Sequence, residues 1–102
     1  MDLKPGSRWK SAVCAAEIVV VRPARDAVTL ECGGHPMIAM GEAAAGGLSL
    51  SPANATGTRV GKRYQDEESG LEVLGTKAGE GALSVDGKPL APKDAKPLPA
   101  SD

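Results

Sequence analysis

What this chain has least of is bulk to bury. It contains no phenylalanine, one tryptophan and one tyrosine, and only nineteen of its 102 residues are valine, leucine or isoleucine. A composition so thin in large apolar side chains lies near the level at which chains stop folding alone. The net charge of −1, however, excludes the strongly charged disordered class. A small folded core is expected, with looser stretches attached and with a second copy of the chain or a partner protein completing it.

Other absences narrow the function. No apolar run approaches the roughly 20 residues that cross a bilayer, and "MDLKPGSRWK" has no apolar segment of secretion-signal type. A cytoplasmic protein without a membrane role is the expectation. Twelve basic and thirteen acidic residues are interspersed, so no basic patch offers itself to phosphates. With stacking aromatics also scarce, nucleic acid is not an expected partner. One histidine and few aromatics leave no convergent catalytic set, so an enzyme is not expected.

What is present reads as β-structure. "EIVVVR" (17–22) is β-branched and ends at Pro23, and "AVTLEC" (27–32) follows after a connection of hairpin length. Val28 and Leu30 alternate with Thr29 and Glu31, the period of a half-buried strand. "RWKSAV" (8–13) makes a third strand, with Trp9 as the main core anchor, and "PMIAM" (36–40) returns after Gly33-Gly34. In the second half "GLEVLGT" (70–76) and "ALSVDG" (82–87) predict a hairpin, with Gly79 and Gly81 in its turn at positive φ. Asp86-Gly87 then turns the chain to let "KPL" add an edge. The prediction is an all-β, antiparallel fold of two hairpin units in one domain. Its parts are a β ribbon at 1–40, a Gly/Ala/Ser-rich loop at 41–58, a hairpin unit at 59–90 and a proline-rich tail at 91–102.

The chemistry rests on two cysteines, Cys14 and Cys32, which stand singly. "PGSRWKSAVC" and "VTLECGGHPM" together resemble a desulforedoxin-type, rubredoxin-like ribbon over residues 5–37. Gly6, Trp9 and Lys10 match its lead-in, Cys14 its second knuckle cysteine, and Cys32, Gly33 and Met37 its far end. The resemblance implies a homodimeric β ribbon with a tetrahedral metal centre. Its first knuckle cysteine falls on Ser11, however, and the first of its adjacent pair on Glu31. Two of four thiolate ligands are thus missing, and an Fe(Cys)4 centre within one chain is excluded.

Three readings of the pair stay open. Cys14 and Cys32 are buried remnants of a lost site; or they hold zinc or iron with His35, Glu31 or a second copy of the chain; or they close a reversible disulfide. A Cys–His nucleophilic pair on Cys32 and His35 lacks a third, orienting group. The corresponding functions are a binding, assembly or accessory subunit without a cofactor and, as the alternative, metal handling or electron transfer. "GKRYQDEESG" (61–70) adds three adjacent carboxylates, Asp66, Glu67 and Glu68, read as a solvated loop. Exposed strand edges and the tail offer means of docking on a partner.

Overall fold

The computed structural model describes residues 3–25, 27–42, 51, 55 and 57–92. Most of the 41–58 loop and positions 93–102 of the tail lie outside them. The described residues form ten short strands and no helix: β1 (Arg8–Lys10), β2 (Glu17–Arg22), β3 (Leu30–Cys32), β4 (His35–Pro36), β5 (Ile38–Ala39), β6 (Arg63–Asp66), β7 (Leu71–Lys77), β8 (Leu83–Val85), β9 (Lys88–Pro89) and β10 (Ala91–Pro92). Among these residues no helix is long and apolar enough to cross a membrane. All strand pairings are antiparallel. One sheet runs β10-β6-β7-β2-β1-β5 and the other β4-β3-β8-β9.

The all-β architecture is the one the alternating patterns predict, but two of the expected partnerships are different. β2 and β3 do not form a hairpin, and neither do β7 and β8; each pair is split between the two sheets. The connections at 23–29 and 78–82 therefore cross from sheet to sheet. The tight turns fall elsewhere, at 33–34 and 86–87. There Gly33, Gly34, Asp86 and Gly87 take φ of 67°, 89°, 49° and 85°, as two-residue hairpin loops require. The segment 36–40 is also divided, since β4 belongs to the small sheet and β5 to the large one.

Both sheets are built around one approximate twofold relation. Exchanging β1–β5 with β6–β10 reverses each strand order onto itself. The registers agree: Trp9 faces Ile18 as Tyr64 faces Val73, and Cys32 faces His35 as Val85 faces Lys88. At the junctions Val19 pairs with Leu74 and Glu31 with Ser84. Loop hydrogen bonds repeat too. Gly6 N–H donates to the Val20 carbonyl as Gly61 N–H donates to that of Gly75, and Met37 to Leu30 as Leu90 to Leu83. The two halves pack on one another within the chain.

A single cluster fills the space between the sheets. Ile18, Val20, Leu71 and Val73 come from the large sheet, and Leu30, Cys32, Leu83 and Val85 from the small one. Their alternation along the strands gives each sheet one apolar face, and Glu72 and Ser84, which lie between them, are buried as well. Trp9 packs against this cluster from its margin and is only half-buried, so it is not the central anchor. Its Nε1 donates to Ser7 Oγ at 3.1 Å, which satisfies the indole N–H. β4, β5, β9 and β10 form the sheet edges, each two residues long, and three of them carry a proline. Such edges present few unpaired donors for strand addition.

Candidate functional site

The loop after β1 brings Cys14 into the core. Ser11 is buried, and its Oγ accepts the N–H groups of Val13 and Cys14, each at 3.1 Å. This bends residues 11–15 tightly enough to aim Cys14 at the end of β3, where Cys32 is fully buried. The two Sγ atoms stand 3.8 Å apart as free thiols.

A third segment closes over them. Gly79 and Gly81 sit on the crossing between β7 and β8, and neither adopts a positive φ. The turn chemistry expected of them is therefore not what these positions require; the absent side chain is. A Cβ at Gly79 would lie 2.4 Å from Ala16 N and 2.8 Å from Cys14 Sγ. At Gly81 it would lie 2.9 Å from both Cys32 Sγ and Gly33 N. Only bare backbone can pass so close to both sulfurs. Gly81 N–H uses that proximity to donate to Cys14 Sγ at 3.4 Å. Thr58, also buried, pins the crossing: its Oγ1 donates to the Gly81 carbonyl at 2.8 Å, and its backbone exchanges bonds with Gly79 at 2.9 and 3.1 Å.

The two thiols differ in environment. Burial works to raise the pKa of Cys14, but hydrogen bonds with the Ser11 hydroxyl, the backbone of Ala16 and Gly81 and the Cys32 thiol hold it below the ordinary value. Burial pushes Cys32 up to about 12, with the charge of Cys14 adding to the rise. Cys14 is partly exposed and Cys32 is not. Cys14 is therefore the partly exposed residue whose thiol ionises at lower pH than usual, and Cys32 is a buried thiol beside it.

The remaining ligand candidates do not join them. Glu31 faces away from Cys32 along β3, and its Oε1 accepts Ser84 Oγ at 3.1 Å and Gly87 N–H at 2.9 Å. His35 lies opposite Cys32 across the Gly33-Gly34 turn. Among the described residues no group of three or more His, Cys, Asp or Glu side chains is placed to hold a metal. Two thiols and a serine hydroxyl do not supply the tetrahedral thiolate set that the ribbon resemblance implies. The 66–68 loop is tied into the fold through the Asp66 and Glu68 carboxylates and through its backbone. Asp66 accepts Ser69 Oγ at 2.7 Å, Arg25 donates to the Glu67 and Glu68 carbonyls, and Lys88 pairs with Glu68.

Sequence reading found both cysteines, missed Thr58, and singled out Gly79 and Gly81 only for turn chemistry that they do not perform. The spacing "GEG" was visible, yet nothing local shows which distant atoms a glycine must admit. Comparison with models of known families, with curated proteins and with solved structures found no match.

Proposed function

We propose that this protein is a redox-responsive binding or accessory module whose Cys14–Cys32 pair interconverts between dithiol and disulfide. The observation that carries this reading is the pair itself: two free sulfurs 3.8 Å apart, one accessible and one sheltered, held by three segments distant in sequence. Closure needs a contraction to about 2.05 Å, with the donors around Cys14 stabilising its thiolate beforehand. The ribbon resemblance fits this picture as the origin of the pair. Ser11 stands where that ribbon has its first knuckle cysteine and keeps the bend by accepting two N–H groups.

The exchange balances with a disulfide as oxidant. The Cys14 thiolate attacks one sulfur of R–S–S–R, forming Cys14–S–S–R and releasing RS⁻. Cys32 then gives up its proton to the departing thiolate and attacks the Cys14 sulfur. The Cys14–Cys32 bond forms, the second RS⁻ leaves, and the chain is oxidised by two electrons as R–S–S–R is reduced to two thiols.

The test is equilibration in buffers of graded reduced and oxidised glutathione, quenched with acid and read by thiol alkylation and mass. An intramolecular disulfide that forms and reverses within the folded protein is expected. Thiols that stay alkylatable throughout, or that join only between chains, would sink the reading.

A further inference from the structure

The outer side of the large sheet gathers charges that lie interspersed along the chain. Arg8, Val19, Leu74 and Arg63 stand side by side on β1, β2, β7 and β6. Their strand neighbours Trp9, Ile18, Val73 and Tyr64 pack on the core, so these four face outward. On one side of this row Lys10, Glu17 and Lys77 cross the same face. On the other, a β-bulge presents both Val21, 42% exposed, and Arg22, which stands opposite Glu72.

Two of these cations are matched in place, since Arg63 meets Glu72 at 3.5 Å and Lys77 meets Glu17 at 4.0 Å. Arg8, Lys10 and Arg22 form no ion pair among the described residues. The face thus holds a positive surplus on a chain whose net charge is −1. Between Arg8 and Arg63 runs an apolar seam of Val19, Val21 and Leu74. The two arginines stand three strand spacings apart, about 14 Å, and an α-helix is about 10 Å across. A helix laid along the seam rests an apolar stripe on it, with an arginine on either flank and Lys10 and Arg22 toward its two ends. Covering a sheet face with a helix is the usual layered solution, and the described residues supply no helix to do so. Carboxylates beside the stripe would meet the unpaired cations. Nucleic acid fits the face less well, because Trp9 and Tyr64 are turned to the core and leave no stacking platform.

We propose that the outer face of the large sheet docks an acidic amphipathic helix of a partner protein. This gives the binding module proposed above its partner class and rests on that part of the reading alone, because the thiols lie on the inner side of the sheet.

The experiment is an amide NMR titration of the full, reduced chain with a helical peptide of about 18 residues, built from Leu, Ala and Glu with its leucines on one face. The controls are a scrambled peptide of the same composition, a counterpart with Lys in place of Glu, and single-stranded oligothymidylate. The acidic amphipathic peptide is expected to shift Arg8, Val19, Val21 and Leu74, with an affinity that falls as salt rises. The R8E/R22E variant, changed at two exposed positions, should lose about tenfold in affinity. Val21→Ser should lose about fivefold, and it decides the matter should the charge reversal not fold. No shift on this face at millimolar peptide, or an equal response to the scrambled or Lys peptide, would overturn the docking surface. So would tighter binding of the oligonucleotide, or face signals that move on dilution of the protein alone, which would assign the surface to a second copy. None of these outcomes bears on whether the thiols close, which the glutathione equilibration decides separately.

Discussion

The two halves of this molecule share a backbone plan and differ in what they place at equivalent points. Where the first half has Ser11, Cys14 and Cys32, the second has Asp66, Ser69 and Val85. Both bends are held by a side-chain oxygen: Ser11 Oγ accepts two N–H groups, and Asp66 Oδ2 accepts the N–H and hydroxyl of Ser69. The bend therefore needs an acceptor but no sulfur. Val85 is as buried in its half as Cys32 is in the other. A thiol at either position is thus unnecessary for folding, which separates chemistry from architecture in a way a single half would not.

The largest effect should come from the shared core. Leu30→Ala and Leu83→Ala remove equivalent buried side chains, and each should cost about 3 kcal/mol in urea unfolding. Hydrogen-exchange protection should fall in both halves for either variant, because the halves join at β2–β7 and β3–β8 and share one core. Loss confined to the mutated half would break the comparison and make the halves independent lobes.

Closing the disulfide should raise stability by a similar amount, about 3 kcal/mol for a loop of this size, measured by urea unfolding with and without reductant. The C14S/C32V variant copies the second half's residues into the first. It should fold, change stability by less than about 1.5 kcal/mol, and show no response to reductant. Next in size, Gly79→Ala should cost about 2 kcal/mol, since the new Cβ meets backbone at 2.4 Å and a sulfur at 2.8 Å. Gly61→Ala meets open space and disturbs only a turn with φ of 79°, so it should cost less.

The smallest effect is a pH dependence. Cys32 has its folded pKa raised by burial to about 12 from an ordinary 9.0. Its contribution to stability is fully present below pH 9.0 and is lost as the pH rises toward 12. Melting of the reduced protein should therefore fall more steeply over that window than melting of Cys32→Val. In alkylation at neutral pH, Cys14 should react first and Cys32 only after unfolding.

Much of this was legible in the chain. The β-branched run at 17–22 and the alternation in 70–76 and 82–87 mark strands, because β-branched side chains suit the pleat and burial on one face of it needs a period of two. Gly33-Gly34 and Asp86-Gly87 mark turns because those loops require positive φ. The twofold relation was not legible. Trp9 and Tyr64, or Met37 and Leu90, are equivalent in packing without being identical in sequence, and packing tolerates such exchanges when volume and polarity are kept.

By itself the sequence determined the β class, the Gly33-Gly34 and Asp86-Gly87 turns and the presence of two lone cysteines, because these follow from local periodicity, backbone freedom and residue identity. Only the tertiary structure decided that β2 joins β7 and β3 joins β8, that Cys14 meets Cys32, and that Gly79 and Gly81 pass over both sulfurs. Those are contacts between segments far apart along the chain, set by which apolar faces can be buried together, and no local pattern encodes them.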